Sequence, residues 1–203
     1  MFLVPIRVET GIISRVLTDI TLGVIADTHV PDRSRALPPA VFEIFERAGV
    51  QAILHAGDFS SRTVFEQLSR IAPVHAVRGN RDIWVMRHLP RQRVETFGGV
   101  RIGMIHGHGS LWDYLNDKRI YYTRGIGISV FEQRALDAFA GQNVDVVIFG
   151  HIHTPINRRV DDGRLLFNPG TTSTPLYPYQ PRTVGLLHLR DGQAQGEVVA
   201  IGR

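Results

Sequence analysis

The residues best equipped for chemistry in this chain of 203 are Asp, His and Asn gathered in five short clusters: Asp27-Thr28-His29, Gly57-Asp58, Gly79-Asn80-Arg81-Asp82, His106-Gly107-His108 and Gly150-His151-Ile152-His153. The chain has no cysteine. Disulfides, thiolate metal sites and a cysteine nucleophile are thereby removed together, leaving imidazole, carboxylate and amide oxygen as the strong ligands. A sulfur-free set of this kind suits Mn2+, Zn2+, Fe2+ or Ni2+ better than a soft-metal or iron–sulfur centre. Asp27 and His29 stand two apart, as do His151 and His153. On extended backbone each pair projects to one side and can grip a metal. Glycines beside the ligands permit tight or positive-φ turns. A two-metal site is the economical interpretation.

These clusters need strands to place them, and each one directly follows a short apolar run. Residues 20–26 read as the first strand, 40–48 as a helix opened by Pro38 and Pro39 and stopped by Gly49, and 52–56 as the second strand. Ser60 or Ser61 opens a second helix through Ile71, with Val64, Phe65, Leu68 and Ile71 at helical intervals, and 74–77 follow as a third strand. Residues 93–97 and 100–105 flank Gly98-Gly99, a hairpin signal that adds antiparallel strands to the parallel set. Residues 129–139 read as a helix and 144–149 as a buried strand, followed by short strands turning at Asp162-Gly163 and Asp191-Gly192. The expected fold class is α/β, with two facing mixed β-sheets flanked by helices. Ligands of open α/β sheets bind in the crevice at the carboxyl ends of the strands, so five such tails can converge across more than a hundred residues of sequence.

With 43% hydrophobic and 21% charged residues and no repeat or low-complexity linker, the chain reads as one globular domain over 20–203, preceded by an extension over 1–19. Apolar runs such as 144–149 fall far short of the roughly 20 residues a membrane span requires. Residues 1–19 lack the charged start and cleavage site of a signal peptide, and the absence of cysteine fits a reducing, cytoplasmic setting. The extension can add an edge strand, support a homo-oligomer or stay loose. A pI near 9.9 suggests nucleic acid as a partner, but the net charge is only +4 and 22 of the 23 basic residues are arginines, scattered rather than set in a stripe.

The five motifs, in this order, resemble the calcineurin-like metallophosphoesterases, specifically their small single-domain bacterial and archaeal phosphodiesterase branch, over roughly residues 20–189. The resemblance implies the family's α/β sandwich and two divalent metal ions, Mn2+ first among them with Mg2+ also admitted. It implies that Asp27, His29 and His153 hold one metal, that Asn80, His106 and His151 hold the other, and that Asp58 bridges them. It also implies that Asn168-Pro169-Gly170 lines the same cleft, either supporting the ligands or facing substrate. Two divalent cations bring +4 and two carboxylates return −2, so such a site keeps about +2 and draws in a phosphate ester. Metals about 3.5–4 Å apart share a water, lower its pKa toward about 7 and present hydroxide in line with the leaving oxygen. The reaction expected is hydrolysis of a small phosphate ester, foremost a diester. Loss of the bridging Asp58 should hurt most.

One position departs from the pattern. Many relatives carry His after the motif Asn, to protonate the leaving group, and here Arg81 stands in its place. An arginine cannot give up a proton at working pH, but it stabilises developing charge or binds a phosphate oxygen. His108 is the nearest replacement acid, or alternatively an orienting group for a ligand. Asp82 is expected to pair with Arg81 or cap a turn, His55 to pack beneath the site, and His75, His88 and His188 to be core residues. Tyr121, Tyr122, Tyr177 and Tyr179 fit rim packing better than base stacking. Two rival functions accompany the hydrolase. One is a protein-interaction scaffold, since a eukaryotic retromer subunit resembles the same fold, though here the ligand set is intact. The other is a nuclease, supported only by the arginine surplus.

Overall fold

A computed structural model describes residues 19–125, 127–174 and 180–202. The early chain alternates β1 (Ile20–Ile25), α1 (Pro39–Arg47), β2 (Ala52–His55), α2 (Arg62–Leu68) and β3 (Val74–Ala76). The hairpin β4 (Gln92–Phe97) and β5 (Val100–Ile105) follows, then α3 (Leu111–Arg124), α4 (Ile128–Asp137), β6 (Val146–Phe149), β7 (Ile156–Arg159), β8 (Leu165–Asn168), β9 (Thr183–Arg190) and β10 (Gln193–Ala200). The strands form two five-stranded mixed sheets, ordered β10-β9-β1-β2-β3 and β4-β5-β6-β8-β7. In the first, β1 pairs parallel with β2 and β2 with β3; in the second, β5 pairs parallel with β6 and β6 with β8.

Side-chain alternation explains the layers. Along β1 and β2, Leu22, Val24, Ala52 and Leu54 point into the core between the sheets, where they meet Ile102, Met104, Val146, Ile148 and Phe167. Ile25 and Ile53 point the other way, onto Val41, Ile44 and Phe45 of α1 and Val64 and Leu68 of α2. Val147 and Phe149 likewise face Phe131 and Ala135 of α4 and Phe139 just beyond it. These strands are apolar on both faces because both faces are covered. Each fully buried Leu, Ile, Val or Phe contributes about 1.5–3 kcal/mol, so the helices are held mainly by this burial. The α1 helix shows how little else is needed: Pro lies in its first turn, no side chain caps it, and Val41, Ile44 and Phe45 form its buried stripe.

The expected two-sheet sandwich is present, and two elements differ from the sequence reading. The α3 helix was not anticipated. Its sequence, LWDYLNDKRIYYTR, has weak amphipathic periodicity, and its start is fixed by a capping box in which Ser110 accepts from the Asp113 N–H and Asp113 accepts from the Ser110 N–H. The expected short strands turning at Asp162-Gly163 are β7 and β8, of 4 residues each, whereas those turning at Asp191-Gly192 are a long hairpin, β9 and β10 of 8 residues each, with β9 pairing antiparallel to β1. The expectations for residues 1–18 and for Tyr177 and Tyr179 lie outside the described residues, as do the side chains of Tyr121 and Tyr122. No helix among the described residues is long and apolar enough to cross a membrane.

Candidate metal centre

All five clusters sit in loops directly after strands: Asp27 and His29 after β1, Asp58 after β2, Asn80 after β3, His106 and His108 after β5, and His151 and His153 after β6. Parallel pairing makes these loops leave from one end of each sheet. The ligand pairs are not carried on extended backbone, contrary to the sequence expectation. Asp27 (φ 53°), His29 (46°), Asp58 (60°), His151 (73°) and His153 (58°) are all left-handed. Kinks, not strand alternation, aim these side chains inward. Asp and His tolerate this region better than bulky or branched residues, but each such residue still costs about 1–3 kcal/mol unless its surroundings hold it. The surroundings here do so. Asp27 N–H donates to the Gly57 carbonyl (3.0 Å), His29 N–H to the Asp58 carbonyl (3.1 Å), and His151 N–H to Asp27 Oδ2 (2.8 Å).

The donor atoms converge. Asp27 Oδ1 lies 3.6 Å from His29 Nε2 and 3.4 Å from His153 Nε2, and the two imidazole nitrogens are 3.1 Å apart. Asp58 reaches two ways, with Oδ2 3.7 Å from His29 Nε2 and Oδ1 3.5 Å from His106 Nε2. Asn80 Oδ1 is 3.2 Å from that same His106 nitrogen. Two sets result, Asp27–His29–His153 and Asp27–Asp58–His106, each with ligand atoms within 4.8 Å of one another. His151 stands beside them, its ring 5.1 Å from that of His106 and 5.2 Å from that of Phe131. His108 is next in line, 5.4 Å from the His106 ring. Arg81 touches the centre through its backbone, donating N–H to Asp58 Oδ1 (2.8 Å), while the residue itself is exposed.

Asp27 Oδ1 is buried and has no hydrogen-bond partner among the described residues. A buried carboxylate oxygen left bare is costly, and its position among imidazole nitrogens is one a divalent cation would satisfy. The residues therefore fit a metal. His106 is already oriented for it: Nδ1 lies 2.8 Å from the Ala56 carbonyl, an N–H donor arrangement that leaves Nε2 facing the carboxylates.

The electrostatics agree. Burial opposes charge on Asp27 and Asp58, yet the neighbouring imidazoles outweigh it: His153 and His29 hold Asp27 well below the usual carboxylate range, and His106 brings Asp58 to about 2. Burial would likewise depress His106, but the charge and hydrogen bond of Asp58, reinforced by Asp27, lift it to about 10. Burial and the nearby His106 charge push His108 and His151 down to about 3, and burial does the same to His55.

Several supporting residues were misread or missed in the sequence. Of its two expected roles Asp82 takes the turn cap, at Gly79, and not the pairing with Arg81. It is fully buried and accepts from four backbone N–H groups, those of Gly79 and Asp58 at Oδ2 (both 2.8 Å) and those of Phe59 (2.9 Å) and Ser60 (3.1 Å) at Oδ1. It thereby ties the loop carrying Asn80 to the loop carrying Asp58. The loops are so close that a Cβ on Gly79 would lie 2.0 Å from Asp58 Oδ1. Asn168 takes the supporting one of its two expected roles and does not face substrate. It is buried, donates to the Gly150 carbonyl (3.0 Å) and accepts from Gly170 N–H (2.9 Å), steadying the turn before His151. Thr171, unremarked in the sequence, donates to the Asp27 carbonyl (2.7 Å). His55 packs under the site as expected, stacked on Phe59 at 3.4 Å and accepting from Gly57 N–H. His75, His88 and His188 are not core residues. His75 meets Glu95 at 3.2 Å, His188 meets Glu197 at 3.3 Å, and His88 is exposed.

Two mixed sheets bring Asp, His and Asn together at one end, in groups that could hold a metal ion. The chain belongs to the calcineurin-like phosphoesterase superfamily, whose domain matches residues 20–192. It is 38% identical over 154 residues to a probable metallophosphoesterase of Methanothermobacter thermautotrophicus, covering 76% of this chain and 78% of that one. It is also 38% identical over 159 residues to a probable metallophosphoesterase of Methanocaldococcus jannaschii, covering 77% and 70%. Among solved structures it is similar to wild-type Vps29 of Entamoeba histolytica complexed with Zn2+ (TM-score 0.65, 24% identity, 90% of this chain and 100% of that one). A predicted phosphoesterase of Streptococcus pneumoniae is comparably similar (TM-score 0.63, 21% identity, 91% of each chain).

Proposed function

We propose that the chain is a phosphodiesterase that uses two divalent metals, Mn2+ foremost, to hydrolyse small phosphate esters. The observation that carries this reading is the buried, unpartnered Asp27 Oδ1 among the nitrogens of His29, His153 and His106. Asp27, His29 and His153 would hold one cation, Asn80, His106 and His151 the other, and Asp58, with one oxygen toward His29 and one toward His106, would be shared. Cations held there would supply positive charge for the phosphate and would lower the pKa of a coordinated water. Asp82 fixes the Asp58 backbone by accepting its N–H, and the Arg81 backbone N–H fixes the Asp58 carboxylate. His106 offers Nε2 because its other nitrogen is committed to the Ala56 carbonyl. The Arg81 guanidinium is suited to bind a phosphate oxygen, since it stays charged and offers a planar fork of donors. Without a cation, burial and the His106 charge push His108 down to about 3. Its N–H can donate a hydrogen bond to the ester. With Arg81 unable to give up a proton, esters with good leaving groups should react best.

The test is turnover of bis(4-nitrophenyl) phosphate by Mn2+-loaded protein. Hydrolysis should stop on chelation, return with Mn2+, and be lost in His151→Ala. Failure to hydrolyse any activated diester with metal bound would overturn the reading, and turnover unaffected by His151→Ala would contradict the assigned ligands.

A further inference from the structure

Beside the metal centre lies a cavity of about 220 Å3 lined by Arg78, Asn80, Ile83, Arg91, His108 and Tyr114, with Gly79 at its edge. It adjoins the centre: Asn80 in its wall is 3.2 Å from His106, and the Tyr114 ring is 6.3 Å from that of His151. Pockets that enclose a whole drug-sized ligand measure roughly 300–1,000 Å3, so this one has room for a single arm of an ester. Its walls are built. Tyr114 is placed by the first turn of α3, where its N–H donates to the Ser110 carbonyl (3.0 Å) inside the capping box. Gly109, just before that turn, has φ +71°, and a Cβ there would lie 2.6 Å from Asp113 Cβ. Arg91 donates to the Gly109 carbonyl and Arg78 to the Arg87 carbonyl (3.2 Å), which hold both guanidinium groups at the pocket.

We propose that this pocket binds a planar aromatic arm of the phosphate ester, one ring in size. Resting on the phosphoesterase reading, this names the class of ester that the centre takes. The chemistry of the walls selects the ring. Tyr114 and the His108 ring offer aromatic surface, Ile83, 48% exposed, offers an apolar contact, and guanidinium groups stack on or face aromatic π-systems. An alkyl arm would gain only the apolar contact and would leave the guanidinium and ring surfaces without a matching partner.

Calorimetric binding of phenylphosphonate and methylphosphonate to the Mn2+-loaded protein separates the arm from the phosphoryl group they share. Phenylphosphonate should bind about tenfold more tightly, and Tyr114→Ala should reduce that ratio to about twofold or less. Ile83→Ser, at an exposed position, should reduce the ratio in the same direction and carries the test if Tyr114→Ala does not fold. Arg190→Ala, distant on β9, should leave it unchanged. A ratio near one in the wild type, or a ratio unaltered in both pocket variants, would overturn the assignment. If phenylphosphonate is preferred and the preference depends on Tyr114 while no ester is hydrolysed, the pocket stands and the phosphodiesterase reading falls.

Discussion

Asp82 makes no contact with a donor atom of His29, His106 or His153 in the hydrogen bonds described above, yet the position of Asp58 depends on it. Its two oxygens collect four backbone N–H groups from two loops, and Asp58 is left-handed at φ 60° between them. Asp82→Asn keeps the volume but replaces one acceptor oxygen with an amide donor facing N–H groups that need acceptors. Loss of such an outer partner typically lowers metal affinity or activity about 10–100-fold. Metal titration followed by calorimetry should show that loss for Asp82→Asn, with Asp82→Ala no better. Affinity unchanged in both would remove Asp82 from the positioning of Asp58.

Elements explain why the sequence disclosed some of this site and concealed the rest. The strands β1, β2 and β6 were legible because they are short apolar runs ending in Asp, His or Gly, and the ligands follow them directly. The left-handed backbone at five candidate ligands was not legible, because it is held by hydrogen bonds between loops far apart in sequence. The role of Asp82 was hidden for the same reason: its partners at Asp58, Phe59 and Ser60 are more than twenty residues away. The α3 helix escaped because its apolar residues are not periodic and its start rests on Ser110 and Asp113. Ser110→Ala should therefore cost about 1 kcal/mol, lowering Tm by about 2–4 °C for a chain of this size. Thermal melts of wild type and variant check this, and an unchanged Tm would show that packing alone holds the helix.

Across the whole molecule, two sheets bring five loops together at one end, and the resulting cluster of carboxylates and imidazoles makes metal binding and proton binding compete. Without a cation, His106 has a pKa of about 10, against an ordinary value of 6.5. A raised imidazole pKa stabilises the folded metal-free protein fully below pH 6.5, and that contribution is lost as pH rises through about 10. A metal at His106 must displace this proton, so loading between those limits should release about one proton from His106 and affinity should rise with pH. Calorimetry in buffers of different ionisation enthalpy measures the release. Loading at pH 8 without proton release would contradict the ion pair of His106 with Asp58.

The central claim is that Asp58 joins two metals held by the remaining ligands, and anomalous diffraction from crystals grown with Mn2+ tests it most directly. The expected result is two manganese peaks flanking the Asp58 carboxylate, one beside Asp27, His29 and His153, the other beside Asn80, His106 and His151. A single peak that excludes Asp58, or manganese bound only away from these residues, would contradict it.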